Sequence, residues 1–259
     1  MAESMPAHHI KVALFDVCQT LVDVYTITDF TRHFLLSSKH NPGFGRGKFI
    51  NHFFYRLFHR IGLLSGDTYR AHLIRLYAGY RERDLGAAAE AYAERLHNRY
   101  KEDVIRLLEK LKASGFSVYL VSAGLDVYLR PFAQSVGAGL ICTVLERDSS
   151  GTYTGRIQGT DCLGEGKVVK VRQELPNIGA IEWKESWAFG DSASDIPLLS
   201  LVGNACAVDP EPFLERKARS NRWSIIRTIG HISQTPDMLK VANRFSLKGR
   251  PWRADGSWK

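Results

Sequence analysis

The stretch LFDVCQTLVD, residues 14–23, closes an apolar run on a single carboxylate, Asp16, and sets a thiol, Cys18, two residues further on. The run lies in IKVALFD (10–16) and, after Lys11, is continuously apolar through Phe15, whereas a strand with one wet face would alternate. That pattern belongs to a strand covered on both faces. Four more short runs are of the same type: FSVYLVS (116–122), GLICTVL (139–145), SWAFGD (186–191) and GNACAV (203–208). Helical patterns lie between them. In EDVIRLLEKLKASG (102–115), Val104, Leu107, Leu108 and Leu111 share a face and Gly115 supplies a stop. Strands alternating with helices predict a doubly wound, Rossmann-like α/β fold with a parallel sheet and right-handed crossovers. Active residues then belong at the carboxyl ends of the strands.

One segment breaks the rhythm. Residues 25–100 show helical patterning and no convincing strand, which predicts a helical cap subdomain inserted after the first strand into an α/β core of residues 1–24 and 101–259. Within it, FINHFFYRLFHRIGLL (49–64) places Ile50, Phe53, Phe54, Leu57, Ile61 and Leu64 on one helix face, expected to pack the core of the cap bundle. The other readings of this face are a lid over a hydrophobic substrate and a basic amphipathic surface making weak membrane contact, with Arg56, His59 and Arg60 on its polar side. LERDSSGTYTGRIQG (145–159) reads as a β-hairpin turning near Ser149–Gly151. Beyond about Ser233 pattern is lost, and residues 235–259 form a basic, turn-rich tail expected to dock on the surface or fray.

Composition bounds the function. A net charge of +8 favours anionic partners without choosing between phosphates, nucleic acid and membrane surface. Trp252 and Trp258 stand among basic residues, but no nucleic-acid-binding motif accompanies them, and no nucleic-acid partner is expected. No stretch reaches the roughly 18 apolar residues of a membrane span, and the amino terminus, where His8 and His9 read as an exposed start, lacks a secretory signal. Cys18, Cys142, Cys162 and Cys206 form no CxxC pair, so they read as reduced thiols of a cytoplasmic protein and argue against zinc. Cys162 is expected to be a small packed side chain near the Lys167 loop.

Chemistry-bearing residues recur where the strands end. Asp16 ends the first, Ser122 with Ala123 and Gly124 the second, Lys167 opens a helix in CLGEGKVVKV, and Asp191 and Asp195 follow the fourth in AFGDSASDIPLL. Phosphoryl transfer needs such a set. A carboxylate attacks phosphorus. A hydroxyl, an ammonium and backbone N–H groups at a helix start hold the non-bridging oxygens, and a carboxylate-bound Mg²⁺ neutralises their charge.

These four motifs (FDVCQTL, VSAG, GEGK and GDSASDIPLL) and the hairpin leading to the lysine resemble the haloacid dehalogenase superfamily, in its phosphoserine-phosphatase-like branch, over roughly residues 10–228. The resemblance implies Mg²⁺-dependent hydrolysis of a small phosphomonoester through an aspartyl-phosphate. It makes Asp16 the nucleophile and a metal ligand, with the main-chain carbonyl of Cys18 and the carboxylate of Asp191 as further ligands and Asp195 orienting the metal shell. Ser122 and Lys167 would bind the phosphoryl oxygens, with the Ala123 and Gly124 backbone beside them, and Thr20 would steady the loop.

Cys18 departs from that pattern. Family phosphatases usually carry there a second aspartate that protonates the leaving group and later deprotonates water. A thiol of ordinary pKa about 8.5 is a weak acid for this work. Three readings stay open: a slow or specialised phosphatase, a phosphate- and metal-binding scaffold with a regulatory role, and a different reaction of the superfamily. Asp191 and Asp195 together favour a metal-using branch over dehalogenation.

Overall fold

The computed structural model describes residues 10–37, 46–176 and 178–228. In chain order β1 (Val12–Phe15) is followed by four helices: α1 (Thr26–Ser37), α2 (Arg46–Arg60), α3 (Gly66–Arg75) and α4 (Glu82–His97). Then come α5 (Glu102–Ala113), β2 (Ser117–Leu125), α6 (Asp126–Ser135) and β3 (Gly139–Thr143). A hairpin of β4 (Leu145–Arg147) and β5 (Tyr153–Ile157) leads to α7 (Glu165–Glu174). The chain continues through β6 (Trp187–Gly190), α8 (Ile196–Ser200), β7 (Asn204–Val208), α9 (Pro212–Ser220) and β8 (Ser224–Ile226).

Six strands form one sheet in the order β3-β2-β1-β6-β7-β8, and every neighbouring pair is parallel. β1 is buried along its whole length. Val12 and Leu14 enter one apolar cluster with Val121, Ala188 and Leu198, while Ala13 and Phe15 enter the other with Leu120, Leu108 and Phe189. Two covered faces explain why β1, Val12–Phe15, is apolar at every position. Strand order reverses between β1 and β6, so a crevice opens at their carboxyl ends, where ligands bind in open α/β sheets. Val104, Leu107, Leu108 and Leu111 are the buried face of α5, as their spacing predicts.

Three expectations need correction. β2 does not stop at Ser122; it runs on to Leu125 through a register shift, and α6 begins only at Asp126. Ala123 and Gly124 therefore sit in an irregular strand end, not at a helix start. β8 was not anticipated, because three residues give too short a pattern to read. The third concerns the helix expected over 49–64, which spans Arg46–Arg60 and turns its apolar side outward. Phe53, Phe54, Leu57 and Phe58 are exposed, with Ile61 and Leu63 beyond the helix, Leu63 at 70%.

What α2 buries instead is its Tyr/His side. Tyr55 stacks on His72 of α3 at 3.9 Å and 8°, and His59 on Tyr69 at 4.6 Å and 9°. Flat rings make a thin contact that excludes water. It leaves His52 Nδ1 and His72 Nε2 buried without hydrogen-bond partners. Burial, with His52 and Arg75 adding, pushes the His72 imidazole down to about 4. Periodicity identified the residues that share a face but not which face is covered. Residues 1–9 and the basic tail of 235–259, including His8, His9, Trp252 and Trp258, lie outside the described residues. Among the described residues no helix is long and apolar enough to cross a membrane.

Candidate active site

A cleft of about 450 Å³ lies at the strand-order reversal, and Asp16, Cys18, Ser122, Ala123, Gly124, Lys167 and Asp191 all border it. Asp16 directly follows β1, its N–H donating to the Phe189 carbonyl at 2.9 Å, which holds the carboxylate at the sheet's edge. Asp191 directly follows β6 on the other side of the reversal. Thr20, folded back by the turn after β1, donates from its hydroxyl to Asp191 Oδ1 at 3.2 Å and ties the two loops together.

Lys167 reaches the cleft from the first turn of α7. Two glycines shape the approach: Gly164 has φ +56°, which disfavours side chains, and a Cβ on Gly166 would lie 1.9 Å from the Asp161 carbonyl oxygen. The ammonium is fully buried, 2.6 Å from Asp16 Oδ1 and 2.5 Å from Asp195 Oδ1. Burial disfavours its charge, but the two carboxylates outweigh that and hold its pKa above the usual lysine range. Burial pushes Asp16 up to about 6 against the pull of Lys167, with the Asp195 charge adding to the rise. Partial burial, with the charges of Asp16 and Asp195 adding, pushes the half-buried Asp191 up to about 8.

Asp195 lies behind the cleft wall. One carboxylate oxygen takes Lys167; the other accepts from the N–H groups of Asp191 at 3.1 Å and Ser192 at 3.0 Å and from the Ser192 hydroxyl at 3.1 Å. Its oxygens are thus already engaged. Even so, Asp16, Asp191 and Asp195 each bring an oxygen within 4.8 Å of the others, a crowding of carboxylates that a divalent cation would relieve.

Ser122 is buried, and its Oγ accepts from the Gly124 N–H at 3.1 Å. Cys18 has a neighbour that sequence spacing does not reveal. Its Sγ lies 3.1 Å from Thr26 Oγ1 and accepts from the Thr26 N–H at 3.5 Å, and Thr26 Oγ1 lies in turn 3.2 Å from the Tyr128 hydroxyl. Burial, reinforced by the Asp16 charge, pushes the thiol up to about 11, so it stays protonated at neutral pH. Cys162 is fully buried with Sγ directed at the Ile141 carbonyl, a packed side chain.

Arg70, on α3, also went unread. Its Nη2 and Nε pair with Asp161 at 2.7 and 3.0 Å, and Nη2 donates to the Ala123 carbonyl at 2.6 Å. One inserted helix is thereby bolted to the end of β2, which carries Ser122, and to the loop that leads into α7 and Lys167. Lys101 closes another side, bonded to the Gln19 carbonyl and to Asp209 at 2.8 Å. The only signal for either was a basic residue in a segment otherwise read for its apolar pattern.

The haloacid dehalogenase-like hydrolase family model matches residues 13–200. A histidinol-phosphatase of Neisseria meningitidis is 27% identical over 220 residues, 83% of this chain and 98% of that protein. A crystal structure of a protein of unknown function from Bordetella pertussis superposes with a TM-score of 0.70 at 27% identity, covering 85% of this chain and 99% of that one. A phosphoserine phosphatase solved as a phospho-aspartyl intermediate analogue superposes with a TM-score of 0.57 at 21% identity over 83% of this chain and 92% of its own, a likeness of fold. With the parallel sheet, the reversal at β1 and β6 and the residues gathered there, this chain belongs to the haloacid dehalogenase-like hydrolase family.

Proposed function

We propose that this hydrolase is a Mg²⁺-dependent phosphomonoesterase working through an aspartyl-phosphate on Asp16. The observation that carries the reading is the buried Asp16–Lys167–Asp195 chain of ion pairs beside Asp191 at the strand-order reversal. The named phosphatases among its relatives support it. An all-oxygen donor set suits a hard cation, and Asp16, Asp191 and the Cys18 carbonyl would hold it, with Asp195 fixing Lys167 and the Asp191 loop in place. Mg²⁺ neutralises charge on the phosphoryl oxygens when bound.

In the first half-reaction an Asp16 oxygen bonds to phosphorus and the bond from phosphorus to the alcohol oxygen breaks. Lys167 draws the phosphoryl oxygens in and screens them from Asp16. The departing alkoxide needs a proton. In the second half-reaction water bonds to phosphorus, the Asp16–phosphorus bond breaks, and the water must lose a proton. Cys18 serves neither step well, being a neutral thiol of pKa about 11 whose sulfur is held by Thr26. Substrates with good leaving groups therefore pass the first step, and the phosphoenzyme turns over slowly, since lost acid–base help is worth roughly 10²–10⁴-fold.

The test is p-nitrophenyl phosphate with Mg²⁺, whose leaving group needs little protonation. The expected record is a stoichiometric burst of nitrophenol followed by slow release, and Asp16→Asn removes both phases. Absence of even one equivalent would point instead to the scaffold reading, which the high Cys18 pKa favours.

A further inference from the structure

Granting the phosphomonoesterase reading, the charges lining the cleft narrow its substrates. Among the described residues three cations border it, Arg70, Lys101 and Lys167, and each is already neutralised by the protein. Lys167 sits between Asp16 and Asp195 at the reacting end. Lys101 is held by the Gln19 carbonyl and Asp209, and the second oxygen of Asp209 accepts from the Thr228 N–H at 2.7 Å. Among the described residues bordering the cleft, Arg70 is the cation brought in by the inserted helices, and its Nε and Nη2 are forked onto Asp161 rather than left for a substrate's second anionic group. Thr143 strengthens that lock, its hydroxyl donating to Asp161 Oδ1 at 2.6 Å while lying 3.2 Å from Arg70 Nη2.

The remaining charge at the rim is negative. Glu211 borders the cleft, and its carboxylate accepts from the Ala193 N–H at 2.7 Å, with no cation beside it among the described residues. A carboxylate on the leaving group would therefore find, among the described residues, no uncommitted cation and would face Glu211. An ammonium or a hydroxyl would find an acceptor there. Glu211 is exposed at the rim, and like charges brought together there favour rejection.

We infer that the site takes phosphomonoesters whose alcohol carries an ammonium or only hydroxyl groups, and rejects those whose alcohol carries a carboxylate. Arg70 acts here as a positioning residue, bracing the end of β2 at Ala123 against the Asp161 loop, and does not serve as a carboxylate receptor.

O-phosphoethanolamine and O-phosphoserine are a matched pair, since the second differs from the first by one carboxylate. Each is measured as a competitive inhibitor of p-nitrophenyl phosphate hydrolysis with Mg²⁺, so neither has to turn over. The expected result is an inhibition constant for phosphoethanolamine lower by at least about tenfold. Asp161→Asn, which releases Arg70, narrows the gap by tightening phosphoserine; a melting curve establishes that the variant folds, and the wild-type pair stands without it. Glu211→Gln narrows the gap less, by weakening phosphoethanolamine. Equal constants, tighter phosphoserine, or inhibition by inorganic phosphate with none by either ester overturns the inference and leaves the phosphatase reading in place. A lack of any nitrophenol burst removes the phosphatase reading itself.

Discussion

The crevice beside β1 and the outer surface of α2 are built on opposite terms. In the crevice Lys167, Asp16 and Asp195 are buried, and each carboxylate lies within hydrogen-bond distance of the lysine. On α2, Phe53, Phe54, Leu57 and Phe58 meet solvent, while the helix is held to α3 by a few stacked rings. The crevice is fixed by a sheet packed on both faces, so removing one group strands its partners in a low dielectric. Among the described residues the outer rings of the helix touch only one another, Phe54 lying 5.9 Å from Phe53 and 6.2 Å from Phe58. A buried, interlocked site transmits every change; an exposed stripe absorbs it.

Breaking the crevice should have the largest effect. Lys167→Met leaves two buried carboxylates without their cation, and the expected cost is about 3–5 kcal/mol of folding stability, read by denaturant titration at neutral pH. A loss under about 1 kcal/mol would mean that water or relaxation already satisfies Asp16 and Asp195.

Next comes Cys18→Asp. It places a proton-transferring group where the thiol stands, and steady-state turnover of p-nitrophenyl phosphate should rise by about 10²–10⁴-fold. The burst then merges into the steady phase. An unchanged rate would assign proton transfer to another group.

A smaller effect follows from acidity. Folded Asp191 and Asp16, pushed up to about 8 and about 6 from an ordinary 3.8, bind protons more tightly than in the unfolded chain. The stability they contribute is fully present below the unfolded value of 3.8 and is lost progressively as pH rises above it, for Asp16 up to about 6 and for Asp191 up to about 8. Melting temperature in a chelator should therefore fall across that window, and Mg²⁺ should offset the fall because it takes the place of the protons. A flat profile without Mg²⁺ would show that the carboxylates are already ionised.

The weakest effect belongs to the outer surface. Leu63→Ser should change stability by no more than about 0.5 kcal/mol, since the side chain is already in water. A larger loss would mean that this surface is covered in solution.

The same contrast separates what the chain makes legible from what it hides. β1 can be read because both of its faces are buried and its composition has to say so, and Asp16, Ser122, Lys167 and Asp191 can be read because strand ends in a parallel sheet converge. The partners of those residues are another matter. Thr26 and Tyr128 meet beside Cys18 across 102 residues of chain, and Arg70 finds Asp161 across 91. A single basic or hydroxyl residue carries no periodic signal of such a meeting. The buried side of α2 was hidden for a different reason: its apolar stripe is real, but ring stacking on α3 decided which side faces in.

The central claim is that phosphorus becomes bonded to Asp16 and stays there because Cys18 cannot help water remove it. Mass spectrometry of peptides from acid-quenched enzyme, taken during turnover of p-nitrophenyl phosphate with Mg²⁺, tests this most directly. The expected result is one phosphoryl group on the peptide containing Asp16 at near-stoichiometric occupancy in the wild type, and little in Cys18→Asp. Phosphate carried by another residue, or nitrophenol released through many turnovers with no modified peptide, would contradict it.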